Sequence, residues 1–218
     1  IGVHGENFSM MFDKKEGGIS SLKYNDFEYI TRTPKVSFWR AMTDNDTGAS
    51  EPYNLAQWYA AGKFAKYKTV SWLEQEDALK ITFAYQAACI PTFEFTVTYT
   101  AHFDGKLGVC VNYAGVSGMP DMPVLALDFK MKKQLCNFRY YGLGPDENYS
   151  DRCKGARLGS WKSTAKENLS GYLDPQECGN RTGVRTLSIH DDMQHGLTFQ
   201  KASAPFEMSV LPYSAYEL

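Results

Sequence analysis

Apolar and polar residues alternate with period two through the middle of this chain. From Phe93 the odd positions read Phe93, Phe95, Val97, Tyr99, Ala101 and Phe103, and the even ones Glu94, Thr96, Thr98, Thr100 and His102. Successive side chains of a strand point to opposite faces, so this segment predicts a strand with one buried and one polar face. Leu79, Ile81, Phe83 and Tyr85 repeat the pattern before it, and Leu107, Val109, Val111 and Tyr113 repeat it after. Asp104-Gly105 between the last two predicts a two-residue type I′ hairpin, because that dipeptide tolerates positive φ angles. Leu125, Leu127, Phe129 and Met131, with Asp128, Lys130 and Lys132 facing out, predict the next strand of the same meander.

Phe8–Phe12 and Ile19–Tyr24 flank the turn Lys15-Glu16-Gly17-Gly18, and Phe27–Ile30 follows Asn25-Asp26, so the N-terminal stretch also reads as β. One short helix is predicted near 52–61, between Glu51 and Lys63. Pro52 suits its first turn, Leu55, Trp58 and Tyr59 share a face, and Gly62 caps its end. After Phe138 the chain is irregular and rich in Gly, Pro and Asn as far as Gly183. Strand-like runs then return at Val184–His190, Gly196–Gln200 and Phe206–Leu211. The expectation is a single all-β domain over residues 1–218, with long loops at Thr43–Tyr53 and Gly142–Gly183.

Composition narrows the classes without adding chemistry. The 43% hydrophobic share is enough for a real core, and 14% aromatic residues favour strands. A net charge of -2 leaves no basic excess to neutralise phosphates, which argues against a nucleic-acid or anionic-membrane partner. No apolar run approaches the roughly 20 residues that span a bilayer. The five cysteines lie at least seventeen residues apart, so there is no C-x-x-C metal or redox spacing. Cys110, inside the alternating pattern, is expected to be a small half-buried residue. The sequons at Asn7, Asn45, Asn148, Asn168 and Asn180 are expected to be chance matches.

Three polar clusters interrupt the strands. The first is Arg40-Ala41-Met42-Thr43-Asp44-Asn45-Asp46-Thr47-Gly48. Its carboxylates and amides suit sugar hydroxyls or a cation, and equally a turn that hydrogen-bonds itself; the longer calcium-loop spacing is absent. The second is Tyr141-Gly142-Leu143-Gly144-Pro145-Asp146-Glu147-Asn148-Tyr149-Ser150-Asp151-Arg152. Its glycines do not form a phosphate cradle, and the adjacent Asp146 and Glu147 would point to opposite faces of a strand rather than flank one glycosidic bond. Glu147 or Asp151 paired with Arg152 predicts an ion pair pinning the loop. The third runs from Asp174 to Gly183, where Arg181, and Arg185 just beyond, are each expected to meet a carboxylate. The four histidines form no metal spacing, and no Gly-x-Ser-x-Gly elbow exists.

These clusters, in this order, resemble the C-terminal domain of LacZ-type β-galactosidases of glycoside hydrolase family 2. Phe38–Gly48, Gly142–Arg152, Pro175–Arg185 and the ending Leu211–Leu218 carry the resemblance, which runs over nearly the whole chain. It implies an antiparallel β-supersandwich of galactose mutarotase-like type, the last of five domains and truncated here at its C-terminus, packed on a catalytic barrel. The implied enzyme is a retaining hydrolase of terminal β-D-galactosides such as lactose. Its catalytic glutamates and its magnesium and sodium ligands would lie in the other domains, leaving this chain none. The implied partners are those domains and the galactoside, with a homo-oligomeric parent and either bacterial cytoplasm or periplasm as compartment. The resemblance further assigns Asp44, Asn45, Asp46, Thr47 and Gly48 to a substrate-proximal loop, with Gly48 as its hinge. Gly142, Gly144, Pro145, Glu147, Asn148, Tyr149, Asp151 and Arg152 form a structural motif. Where the family has Asn beside Glu177, this chain has Cys178. A stand-alone mutarotase-like enzyme, using for example His102 and Glu94, and a carbohydrate-binding module with Tyr53, Trp58 and Tyr59 as platform remain the alternatives.

Overall fold

A computed structural model describes residues 1–218, and every strand pairing in it is antiparallel. The all-β expectation holds. The chain divides into two compact units, Ile1–Lys132 and Lys133–Leu218.

In the first unit, β1 (Gly2–His4), β2 (Phe8–Asp13), β3 (Gly18–Tyr24) and β4 (Phe27–Glu28) form one sheet in chain order. After β5 (Lys35–Ser37) come three short helices, α1 (Asp44–Gly48), α2 (Glu51–Asn54) and α3 (Ala56–Lys63). The meander β6 (Lys66–Glu74), β7 (Ala78–Gln86), β8 (Glu94–His102) and β9 (Leu107–Tyr113) makes the second sheet, and β10 (Ala126–Asp128) pairs with β5. The period-two pattern is what closes this sandwich. Ile81, Phe83, Phe95, Val97, Tyr99 and Ala101 are buried from one sheet, and Met10, Phe12, Ile19 and Leu22 from the other. The sheets meet where the Phe12 and Tyr99 rings lie 5.4 Å apart and the Tyr24 hydroxyl donates to the Gly105 carbonyl at 2.7 Å. Each buried Ile, Leu, Val, Met or Phe among them contributes about 1.5–3 kcal/mol by leaving water.

Several expectations change here. The predicted loop at Thr43–Tyr53 is helical, and the single helix near 52–61 is the last two of three. Gly62 is not a cap. It lies inside α3, buried against β5, where a Cβ would stand 2.7 Å from the Val36 carbonyl oxygen. The turn at Asp104-Gly105 is not type I′, because only Gly105 has positive φ (+90°). The loop is Phe103–Gly105, closed by Gly105 N–H donating to the His102 carbonyl at 3.0 Å, which leaves Phe103 exposed. The two-residue turn with both φ angles positive falls instead at Asn25-Asp26, between β3 and β4. The strand expected around Leu125–Met131 is the three-residue β10, paired with β5 rather than β9, and Leu125 is exposed. Consequently β9 is an edge strand, and Cys110 on it is exposed rather than half-buried.

In the second unit, β11 (Asn137–Gly144), β12 (Arg157–Thr164), β14 (Thr186–His190) and β15 (Gly196–Gln200) form a sheet in the order β12-β11-β14-β15. A separate pair joins β13 (Asn180–Val184) to β16 (Phe206–Ser209). Phe138, Tyr140, Val184, Leu187, Ile189 and Met208 are buried. The predicted long loop at Gly142–Gly183 therefore contains the end of β11 and all of β12. Its glycines suit strands because bulky neighbours cover them. A Cβ at Gly144 would collide with the Tyr140 hydroxyl and the Trp161 indole, and one at Gly142 would come within 3.0 Å of the Val184 Cα.

Candidate functional site

The first cluster is a helix start held by one carboxylate. Thr43 caps α1: its side chain accepts from the Asp46 amide at 3.2 Å, while the Asp46 carboxylate accepts from the Thr43 amide and hydroxyl, both at 2.8 Å. This reciprocal box satisfies two helix-terminal donors that would otherwise lack partners. Arg40 grips the same carboxylate as a fork, at 2.6 and 2.9 Å. Burial alone would push the Asp46 carboxyl up; the Arg40 fork and the two Thr43 donors outweigh it and hold its pKa at about 2. Asp46 is thus consumed by structure. Asp44, Asn45, Thr47 and Gly48 are exposed on the same short helix, and Tyr53 on α2 is 86% exposed. A methyl group added at Gly48 would meet only open space, and the φ there is not positive, so this conformation does not itself require glycine.

Of the three aromatics considered as a sugar platform, Trp58 is buried. It packs on Phe38 and Phe93, and its indole N–H donates to the Pro120 carbonyl at 3.1 Å. Tyr59 is half-buried, edge-on to Trp39 at 5.3 Å, with the Lys63 ammonium 4.4 Å from its ring centre. Only Tyr53 stands clear.

The second and third clusters merge into one network. Glu147 accepts from the Arg152 guanidinium (2.7 Å), the Ser170 hydroxyl (2.8 Å), the Tyr172 hydroxyl and the Gly179 amide (2.8 Å). Burial alone would raise this carboxyl; the Gly179 amide, the two hydroxyls and Arg152 outweigh it and hold it below the usual range. The expected ion pair is therefore Glu147–Arg152, and Asp151 stays exposed. Asn148, next in sequence, is 2% exposed. Its amide donates to the Leu143 and Asp146 carbonyls at 3.1 and 3.0 Å, and its oxygen accepts from the Thr182 amide and hydroxyl at 3.0 and 2.6 Å. Its main chain exchanges further bonds with Asn180 at 2.9 and 3.0 Å. Adjacent residues pointing apart thus serve two partners: Glu147 ties down the Ser170–Gly179 segment, and Asn148 ties down β13. Tyr149 lies under the Arg152 guanidinium, 5.2 Å from the ring centre, and Pro145 offers its carbonyl to Arg181 at 3.0 Å.

Arg181 and Arg185 do not meet carboxylates. Arg181 is buried and donates to neutral oxygens, the Tyr140 hydroxyl and the Pro145 and Asn180 carbonyls, each at 3.0 Å. Arg185 donates to the Gly183 carbonyl at 2.9 Å and lies 5.7 Å from the Tyr141 ring centre. Both lie where backbone oxygens, rather than acids, line the turn. Cys178 is buried with a thiol pushed up, first by that burial. Asn148, Asn168 and Asn180 are buried, with side-chain amides bonded inside, so none is open to glycosylation in this fold.

Sequence reasoning passed over Ser170 and Tyr172 and took Asn168 only for a chance sequon; their bonds into this network span 23, 25 and 11 residues, with no local pattern. It also missed Asp191, a buried carboxylate that accepts from the His195 ring at 2.9 Å and from the Met193 and His195 amides. No group of three or more His, Cys, Asp or Glu side chains is gathered in this structure. Among the carboxyls displaced from their ordinary range, only Asp128 is raised, by burial that Arg32 partly offsets. His102 and Glu94 stand at opposite ends of β8, about 26 Å apart by strand rise, too far for a mutarotase acid–base pair.

The family model described as the β-galactosidase small chain matches residues 4–218. The chain belongs to that family. It is 41% identical over 221 residues to a β-galactosidase of Halalkalibacterium halodurans and 36% identical over 218 residues to one of Streptococcus thermophilus. Both alignments cover all of this chain, but only 22% and 21% of those proteins. A β-galactosidase small subunit of Latilactobacillus sakei is 32% identical over 248 residues, with all of this chain and 77% of the subunit covered. The chain thus spans about a fifth of the longer relatives and most of the small subunit. The three polar clusters all lie inside the matched range.

Proposed function

We propose that this chain acts as the non-catalytic small-chain portion of a retaining β-galactosidase of glycoside hydrolase family 2 that hydrolyses terminal β-D-galactosides such as lactose. The observation that carries the reading is the family match over residues 4–218, together with relatives named β-galactosidase that are about five times longer. The electrostatics support a non-catalytic part. A general acid needs a carboxyl held protonated near neutral pH, whereas the carboxylates at the centres of the two polar motifs, Asp46 and Glu147, are held ionised by cationic and neutral donors; the one raised carboxyl, Asp128, lies outside both motifs. In this reading the two catalytic glutamates and the magnesium and sodium ligands belong to the remaining four-fifths of the enzyme. The exposed face of α1 and α2, Asp44 to Tyr53, lies beside bound galactoside in the assembled enzyme, and the Glu147–Asn148 network keeps the second unit rigid.

The test is turnover of a chromogenic β-galactoside by the purified chain. None is expected, and hydrolysis by the chain alone, purified to homogeneity, overturns the reading. A second test places Gly48→Ala in the full-length enzyme. A shifted affinity for substrate or transition-state analogue supports a closing segment hinged there, and unchanged affinities for both reject the hinge.

A further inference from the structure

We propose that the edge strand β9 is a self-pairing surface, and that a second copy of this chain adds to it antiparallel about a two-fold axis through Cys110. Three observations carry this. First, β9 bonds only to β8, so one whole side of its backbone is unpaired. Second, its core-facing row is left half open. Leu107, Val109, Val111 and Tyr113 continue the rows of Ala101, Tyr99, Val97 and Phe95 on β8, all buried. Yet Val109 is 37% exposed and the other three only half-buried, because the sheet stops there. Third, Leu-Gly-Val-Cys-Val-Asn-Tyr carries no charge. Natural sheet edges are usually protected by charged residues, prolines or bulges. The opposite edge of this sheet, β6, carries Lys66, Lys68 and Glu74.

The sequence of β9 fits itself. Cys110 is the midpoint of Leu107–Tyr113, so a two-fold antiparallel pairing centred there sets Leu107 against Tyr113, Gly108 against Asn112 and Val109 against Val111 of the other copy. The core-facing row then pairs aliphatic with aromatic and valine with valine, combinations that stabilise neighbouring strands. No like charges meet: Lys106, just outside, falls opposite Ala114, and its own ammonium is bound to Asp104. Two four-stranded sheets become one of eight. Main-chain bonds supply the affinity and the apolar row supplies the register.

The experiment is sedimentation equilibrium of the 218-residue chain from micromolar to millimolar concentration, alone and as Cys110→Lys. A concentration-dependent shift to twice the chain mass is expected for the parent. Cys110→Lys sets two ammonium groups opposite each other at the axis and should return the chain to monomer at every concentration. Because Cys110 is exposed on the outer face, an unchanged circular dichroism spectrum should accompany that loss. As an independent readout, a variant with Cys89, Cys136 and Cys153 changed to Ser is treated with diamide. Diamide takes up two electrons and two protons as the two Cys110 thiols form one intermolecular disulfide. A cross-linked dimer is expected at concentrations where the parent self-associates. A parent that is monomeric throughout, or a dimer that survives Cys110→Lys, overturns the proposal.

Discussion

Two motifs of nearly the same composition behave in opposite ways. The Asp44–Gly48 helix and the Glu147–Arg152 turn both gather acidic, amide and small polar residues, and both centre on one carboxylate bonded to an arginine. Around Glu147 the polar groups turn inward. Asn148 is 2% exposed, and three distant segments are tied together by side-chain bonds to backbone. Around Asp46 the bonds are local, spanning six residues at most, and the rest of the helix faces solvent. Burial, not composition, separates a structural motif from a surface available to a ligand. In the first case an unmade bond carries the full cost of a desolvated polar group; in the second water replaces it.

The comparison breaks first at Asn148. Asn148→Leu removes the buried side-chain bonds to the Leu143 and Asp146 carbonyls and to the Thr182 amide and hydroxyl, and a buried group that loses its partner costs roughly 1–3 kcal/mol. The second unit should lose about 3 kcal/mol or more by urea denaturation, a change confined to the single side chain. Little change would mean that the network is ornamental.

Next is Asp46→Asn. The carboxyl falls from 3.8 to about 2 on folding, so its contribution is fully present above pH 4 and is lost as pH drops towards 2. At 1.36 kcal/mol per unit, the substitution should cost about 2 kcal/mol at neutral pH and remove that part of the acid limb. Thermal denaturation across that pH range reads both. Glu147→Gln should do the same in the second unit with a smaller effect, about 1–2 kcal/mol, because Arg152 is exposed to solvent. Its folded pKa is depressed too, so the loss appears above the unfolded carboxylate range and vanishes in acid.

The smallest effect belongs to Gly48→Ala in this chain alone. With no clash and no positive φ at the end of α1, alanine should stabilise by less than about 1 kcal/mol. A large destabilisation would show that α1 needs glycine even at rest.

The alternating strands were legible in the sequence because burial of one face writes itself at every second position. Phe93, Phe95, Val97, Tyr99 and Ala101 all bury as read. The failures share physical causes. β12 was hidden because an edge strand with little buried area needs no apolar alternation, and Gly142, Gly144 and Gly159 looked like loop. Gly62 looked like a cap because sequence does not show that α3 crosses β5 within van der Waals reach. Asp104-Gly105 lacked the second positive φ that its dipeptide permits. The polar motifs were visible as clusters, but their partners Ser170, Tyr172 and Asn168 are joined only by the fold.

The most direct test of the contrast between the two motifs is a galactose titration of the isotopically labelled chain, followed by backbone amide shifts in NMR. Binding should be millimolar or weaker, a free energy of only about -4 kcal/mol. The shifts should fall within Asp44–Tyr53, with Glu147, Asn148 and Gly179 unmoved. Shifts centred on the Glu147–Asn148 network, with the helical segment silent, would contradict the assignment of surface to one motif and structure to the other.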